Sequence, residues 1–255
     1  MEALARLQLL LEFHNTKLGP QFETPHSLGR MGVGGLVIGA FLGAHACLLG
    51  FGLGDMARGA ALGALTQWAL YGVALGSFHA SEFLLAAIYR PAELNYDSML
   101  INHSPQYTAA ALAAWLEFAL ETALAPALKA RARAAGVALG LALVGAGLAL
   151  RVAAQRTAGA HFAHQIMTER TRSHKLVTHG VYATFRHPAY CGWFWWSIGT
   201  QLLLANPLAL VAYALAAWSF FRNRIPHEEA YLRQFYGSEY DEYARRTRIG
   251  IPFIS

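Results

Sequence analysis

Apolar positions in this chain gather into six long blocks, and most of the charged residues fall in the segments between them. The blocks cover 31–53, 57–89, 107–124, 133–150, 190–205 and 208–221. Continuous apolar runs of this length are the signature of membrane spans rather than of one large soluble core. A spanning helix needs about 20 residues, so 57–89 is either one long tilted helix or two shorter pieces. It also carries Ser77, His79, Ser81 and Glu82. Asn206-Pro207 joins the last two blocks in a tight turn. Each arm of that hairpin is short for a full crossing, so it packs on neighbours or sits where the bilayer thins. Residues 1–13 hold Glu2, Arg6 and Glu12 around a leucine run and read as an interfacial amphipathic helix, not a cleaved leader. The expected fold is all-α and polytopic, with roughly six to eight transmembrane helices and a C-terminal cytosolic helical segment.

Small residues refine the packing. Gly35, Gly39 and Gly43 stand four apart, and glycine and alanine recur through 133–150. Both patterns let helix backbones approach closely in lipid. Gly32-Val33-Gly34-Gly35 imitates a dinucleotide turn. No strand precedes it and no acidic residue follows at the needed distance, so helix packing accounts for it and no Rossmann domain is expected.

Only 14% of the 255 residues are charged and 55% are hydrophobic, against about 25% charged in soluble domains. That leaves one integrated membrane domain and no separate soluble catalytic domain. Residues 1–150 supply the amphipathic segment and the first spans; residues 151–255 form the polar, candidate catalytic half. The net charge of +5 does not point to nucleic acid, because no basic helix or aromatic-interleaved basic stripe is present. With six crossings, 16 of the 20 Lys and Arg share one side, all but Arg58, Lys129, Arg131 and Arg133. Positive-inside bias puts that side, with both termini, in the cytosol. Asn102-His103-Ser104 formally matches a glycosylation acceptor but falls on the same side, before Pro105. Cys47 and Cys191 lie in or beside apolar segments and make no disulfide framework.

The chemistry concentrates in 174–190, H-K-L-V-T-H-G-V-Y-A-T-F-R-H-P-A-Y. Titratable groups beside hydrocarbon are costly to place, which makes this segment a functional site by default. It shares its side with the tail after 221, where Arg222, Arg224, His227, Glu228 and Glu229 open a further helix. Gly237-Ser238 then leads to a second, short one, in which Ser238 and Asp241 resemble a capping box and Tyr236, Tyr240 and Tyr243 share a face. His161 and His164, with His174, His179 and His187, could ligate a metal. Membrane iron oxygenases need several paired histidine boxes, and one loose pair is present, so no metal is expected. Snorkelling explains Arg6, Arg131, Arg133, Arg245, Arg246 and Arg248. It explains Arg186-His187-Pro188 poorly. There the proline suits a first helical turn, whose free N–H groups favour an anion.

The stretches 176–182 (L-V-T-H-G-V-Y), 186–201 (R-H-P-A-Y-C-G-W-F-W-W-S-I-G-T-Q) and Asn206-Pro207 resemble the signature of the isoprenylcysteine carboxyl methyltransferases. The likeness resumes at 220–224 (F-F-R-N-R), Glu228-Glu229, 235–237 (F-Y-G) and 250–254 (G-I-P-F-I), and upstream at 80–82 and 115–118. It is strongest from Arg151 onward. The shorter G-V-Y, R-H-P and E-E core also occurs in phospholipid methyltransferases and certain sterol reductases. The resemblance implies a multi-pass enzyme of the endoplasmic reticulum membrane with its site facing the cytosol. Its donor would be S-adenosylmethionine, with S-adenosylhomocysteine as product. Its acceptor would be the C-terminal prenylated cysteine of CaaX-processed, membrane-associated proteins such as small GTPases. By the same resemblance His174, Lys175, Leu176 and Val177 line the adenosyl pocket. Tyr182, His187, Pro188, Ala189 and Tyr190 hold the rest of the cofactor, and Glu228 its ribose or amino end. Arg224 contacts the substrate carboxylate, with Arg151 and Glu229 as further catalytic residues. The family often carries an acidic run before the Glu pair, where this chain has Ile225-Pro226-His227.

The implied chemistry is self-consistent. A cysteine α-carboxylate, with a reference pKa near ~3.5, is already ionised and needs no general base. In-line orientation of two reactants contributes about 7–11 kcal/mol. A buried isoprenoid adds about 0.8 kcal/mol per CH₂, which suits an embedded catalyst, and Trp193, Phe194, Trp195 and Trp196 are candidates for the hydrophobic–polar boundary. An amine acceptor, as in a phospholipid N-methyltransferase, would misplace an arginine. A nicotinamide-dependent sterol reductase would ordinarily be longer.

Overall fold

In the computed structural model, which describes residues 22, 24–101, 104–170 and 175–255, every apolar block becomes a single helix. These are α1 (Leu28–Ala57), α2 (Ala64–Tyr89), α3 (Pro105–Leu124), α4 (Pro126–Ala158), α5 (Pro188–Leu204) and α6 (Pro207–Tyr236), followed by the short α7 (Ser238–Arg246). Among the described residues there is no strand, only one parallel bridge between Phe185 and Arg248. α1, α2 and α4 are each long and apolar enough to cross a membrane. The 57–89 block is thus one helix. Its first residues form the turn out of α1, where Gly59 takes φ +94°. Prolines open α3, α4, α5 and α6, at the position where a missing N–H costs nothing. The 1–13 helix, Asn102 and His103 lie outside the described residues.

Side chains from α3 and α4 fasten the α5–α6 hairpin. Lys129 Nζ donates to Ala205 O at 2.9 Å and Asn206 Oδ1 at 2.8 Å. Glu117 accepts the N–H groups of Leu208 and Ala209 at 2.8 and 2.7 Å. A cation therefore meets the carbonyl end of α5 and an anion the amide end of α6, each satisfying groups a helix leaves unpaired. Arg133, read from the sequence as a snorkelling residue, instead bonds Leu62 O at 3.0 Å and Gln67 Oε1 at 2.9 Å. These bonds gather the 58–63, 125 and 205–207 turns at one end. The 90–101, 159–170 and 175–187 segments and the C-terminal tail lie at the other.

The antiparallel α4–α5 pair is the tightest seam. A Cβ on Gly147 would fall 2.6 Å from both Gly192 O and Trp196 N, and one on Gly140 would fall 2.5 Å from Leu203 N. Gly136, Gly140 and Gly147 of 133–150 thus serve backbone contact, as expected, whereas a Cβ on Gly145 would meet nothing within 4 Å. Gly35, Gly39 and Gly43 do not: a Cβ on any of them would meet nothing within 4 Å. α1 meets its neighbours through Gly34, against Tyr96 and Met99, and through Gly52, against Thr66. Spacing identifies a face; only the neighbour decides whether that face is covered.

Three further expectations change. The polar tail does not start a new helix after Phe221: α6 runs unbroken for 30 residues with Pro226 inside it. Phe221, Ile225 and Glu229 are buried along one side and hold the helix through the lost proline N–H. Ser238 is no cap. Gly237, at φ +56°, precedes it, no side chain caps α7, and Asp241 accepts from Arg233 Nε at 3.1 Å. Within 193–196, Phe194 and Trp196 are core rather than boundary residues. Trp196 stacks on Phe78 at 4.3 Å, and Trp195 Nε1 donates to Gly250 O at 3.1 Å. His45 and His79 pack with their Nδ1 atoms on Phe41 O and Met99 O. Cys47 is exposed and Cys191 buried, with no disulfide between them.

Candidate functional site

Chain geometry folds residues 175–190 of the motif onto the foot of α6. Gly180, at φ +58°, opens a short 3-10 turn over Gly180–Ala183. Arg186 N then donates to Arg248 O and Arg248 N to Thr184 O, each at 2.9 Å. The C-terminal strap so pinned brings α7 over the start of α5. Together with the 159–170 loop these elements enclose a cavity. Its wall carries Lys175, Leu176, Val177, Tyr182, His187, Pro188, Ala189, Tyr190 and Glu228. Nine of the ten residues assigned to a cofactor from the sequence therefore face one space. His174 lies outside the described residues.

The other three assigned residues stand just behind that wall. Arg224 Nε donates to Tyr190 Oη at 2.8 Å and its Nη2 to His164 O at 2.7 Å. Tyr190 Oη donates in turn to Glu228 Oε2 at 2.6 Å. Arg151, buried in α4, forks onto Glu82 of α2 at 2.5 and 2.9 Å and reaches Ala189 O at 3.2 Å. Gln155 adds a bond to the same carboxylate at 2.8 Å. Glu229 receives Arg186 Nε at 2.6 Å and Arg233 Nη2 at 3.2 Å, and His187 Nε2 lies 3.1 Å away.

Burial alone would raise the Glu229 carboxyl, but hydrogen bonds and charge from His187 and Arg186 outweigh it and hold the group at about 2. A depressed carboxylate adds stability above its ordinary range, and that stability disappears as the pH falls through the folded value. The melting-temperature gap between wild type and Glu229→Gln should therefore be full at pH 6 and shrink between about pH 4.5 and 2. Melting curves across that window, in detergent, check it; a constant gap would show that the charge is irrelevant.

Tyr236, Tyr240 and Tyr243, read from the sequence as sharing a face, all line the cavity. Tyr231, Leu232 and Phe235 line it too and were missed. Their signal was present: with Glu228 they stand at i, i+3, i+4 and i+7 of a helix, one face. The loop residues Phe162, Gln165 and Met167 carried no pattern. The Glu82 partnership was half legible, since a carboxylate in an apolar block needs a cation on a neighbouring span. His161 faces the cavity while His164 Nε2 lies 3.6 Å from Glu82 Oε2. Among the described residues no three His, Cys, Asp or Glu converge as a metal site.

Tyrosine faces beside a half-buried carboxylate suit a cationic ligand with polar hydroxyls. An arginine behind the same wall suits an anionic one. Residues 138–234 match the model of a family described as the isoprenylcysteine carboxyl methyltransferase family. A human protein-S-isoprenylcysteine O-methyltransferase is 45% identical over 82% of this chain and 74% of its own length. Its mouse counterpart is 43% identical over the same shares. A solved structure of a eukaryotic intramembrane Ras methyltransferase of this family superposes with a TM-score of 0.72 at 48% identity, covering 75% of this chain and 68% of that one.

Proposed function

The chain belongs to the isoprenylcysteine carboxyl methyltransferase family, and on that footing we propose that it methylates the free α-carboxylate of a C-terminal prenylated cysteine. The methyl donor is S-adenosylmethionine, which supplies an already activated methyl group. The observation that carries the reading is the run from Glu228 through Tyr190 to Arg224, which sets a cation-favouring wall one hydroxyl away from a carboxylate-favouring guanidinium.

In this reading Lys175, Leu176 and Val177 receive the adenosyl end, Glu228 the ribose or amino end, and Tyr182, His187, Pro188, Ala189 and Tyr190 the remainder. His174, where the family motif places a further contact, completes the set. Arg224 orients the acceptor. It must steer the carboxylate without neutralising it, because tight pairing would stabilise the ground state as much as the transition state. Arg151 holds the Ala189 carbonyl, and Glu229 holds Arg186 and His187, so both act by positioning the wall. No residue needs to take a proton, since the acceptor oxygen attacks as an anion and the departing sulfur becomes neutral.

With six membrane crossings, one per long helix, the lysine and arginine distribution puts the cavity end on the cytosolic face of the endoplasmic reticulum membrane. Small GTPases ending in a prenylated cysteine are the expected protein substrates, drawn from the bilayer. Residues 1–150 then scaffold and 151–255 catalyse within one domain. α4 runs through position 150 without a break.

Methyl transfer to N-acetyl-S-farnesylcysteine, compared with its carboxamide, tests the assignment. The acid should be methylated and the amide should not. Arg224→Ala should lose roughly 100- to 1,000-fold in turnover while binding S-adenosylhomocysteine nearly as well as wild type. Normal turnover in that variant, or methylation of the amide, would remove the substrate assignment.

A further inference from the structure

After α7 the chain turns back toward its apolar helices. Ile249 and Ile251 of the C-terminal strap are buried in a cluster with Phe194, Ala217, Phe221 and Ile225. Pro252 O accepts from Trp218 Nε1 at 2.8 Å, one turn to the apolar side of Arg222 on α6. Irregular backbone at such a level is tolerated only where its polar groups find partners. The strap meets that demand with indoles, which join an apolar body to one donor: Gly250 O accepts from Trp195 Nε1 at 3.1 Å, as Pro252 O does from Trp218. Phe253 projects beyond these bonds. Its side chain is 97% exposed, more than any other large apolar residue among those described, and its backbone takes φ +61°. A bulky side chain rarely adopts that conformation, and such strain persists where an interaction offsets it. On α6, Leu208, Val211, Leu215, Trp218 and Arg222 stand three or four apart and so share one face. The first three are exposed, and the Arg222 guanidinium lies over the Trp218 ring at 4.9 Å. Aliphatic, then indole, then cation is the order met on passing from hydrocarbon to headgroups, and the Pro252–Trp218 bond sets Phe253 beside the indole step.

We propose that residues 249–254 form a re-entrant anchor, in which Phe253 inserts into the acyl region of the adjoining leaflet and holds down the C-terminal wall of the cavity. The proposal rests on the membrane placement in the functional reading above and extends it. The partner is lipid, because the exposed ring continues a face of α6 that already reads as lipid-facing. The other end of the strap reaches the site: Arg248 N donates to Thr184 O, Arg248 O accepts from Arg186 N, and Tyr240 and Tyr243 of α7 line the cavity. A strap tied to the motif at one end and to the bilayer at the other keeps α7 over the start of α5. Phe253 itself lines no part of the cavity, so any effect it has on ligand binding passes through the strap.

The test places a nitroxide on Phe253→Cys in the full chain, with Cys47→Ala removing the exposed thiol, and measures spin relaxation in nanodiscs. Oxygen, which partitions into lipid, is compared with a water-soluble nickel chelate. Leu215→Cys on α6 and Glu242→Cys on α7, both exposed, serve as lipid and water references. The label at 253 should follow the one at 215 and favour oxygen. Preference for nickel, or shielding from both reagents by a protein neighbour, overturns the anchor. A label at 215 that itself reports water would instead bring down the membrane placement, and the anchor with it. The second measurement is S-adenosylhomocysteine binding in the same nanodiscs. Phe253→Asp should weaken it at least about fivefold, the lower end of usual coupling between two sites, whereas Phe253→Leu, still apolar, should bind as wild type does. Unchanged affinity in the aspartate variant also overturns the anchor. No binding by wild type would count against the functional reading, while the label at 253 still judges the strap.

Discussion

Glu82→Ala should lower the stability of the folded protein by about 3–5 kcal/mol, the usual result of stranding one partner of a buried ion pair. Glu82 is fully buried in α2 and accepts both arms of the Arg151 fork from α4 together with the Gln155 amide. Without it, the Arg151 guanidinium is left among helices with its charge unanswered, beside the Phe78 ring 5.3 Å away. For a chain of this size the loss corresponds to a fall of roughly 6–20 °C in melting temperature. Arg151→Ala should cost a similar amount by stranding the carboxylate. The double variant Glu82→Leu with Arg151→Met should recover much of the loss, because apolar residues of similar volume often replace a buried ion pair at little cost. It should not recover methyl transfer, since the Ala189 carbonyl at the cavity wall still lacks its partner. Thermal unfolding in detergent and turnover, measured as a double-mutant cycle, separate the two roles. Additive losses across the cycle would mean that the pair does not act as a unit.

The second large effect is steric. Gly147→Val should part α4 from α5, because the new Cβ would sit 2.6 Å from Gly192 O and Trp196 N, backbone atoms that cannot swing aside. Overpacking a core costs about 1–3 kcal/mol where side chains can adjust, and this site should exceed that range. The damage should spread along α5. Its start carries Ala189 and Tyr190, and its middle the Trp196–Phe78 stack. Affinity for S-adenosylhomocysteine should therefore fall together with stability. Gly43→Val is the control. A Cβ added there meets nothing within 4 Å, so its effect should stay within about 1 kcal/mol, the scale of helix propensity. Equal melting temperatures for the two variants would contradict the seam described here.

The contrast between Gly147 and Gly43 shows where a linear reading stops. Both glycines sit in small-residue patterns of apolar blocks, and both patterns permit close approach. Helix spacing says which residues share a face. It does not say whether a neighbour lies against that face, which depends on residues far along the chain, as Gly192 is from Gly147. α6 presents the same difficulty in another form. A change from apolar to polar composition, followed by a proline, reads locally as an end. The helix continues because its apolar positions Phe221 and Ile225 are buried beyond the point where the opposite face turns polar. The boundary of the membrane and the boundary of the helix are separate events, and composition reports only the first.

The candidate site divides along similar lines. Residues 175–190 and Glu228 carried enough chemistry beside hydrocarbon to be singled out from composition and motif, and the fold sets them around one cavity. Apart from the loose His161 and His164 pair, the 159–170 loop gave no signal, because irregular backbone leaves no periodicity. Arg90 joins it through Phe162 O at 3.3 Å, a contact that depends on how α2 and α4 end side by side.

Taken alone, the chain determined the placement of its apolar blocks, the segments that collect its cations, the turns at its prolines and the segment in which polar chemistry concentrates. These depend on transfer free energy and backbone dihedrals, which act residue by residue. Tertiary structure alone decided which glycines touch backbone, which cations are bonded rather than snorkelling, and that a tyrosine hydroxyl links Glu228 to Arg224. Those outcomes depend on distances between residues far apart in the chain, and only packing of the helices brings such groups within hydrogen-bond reach.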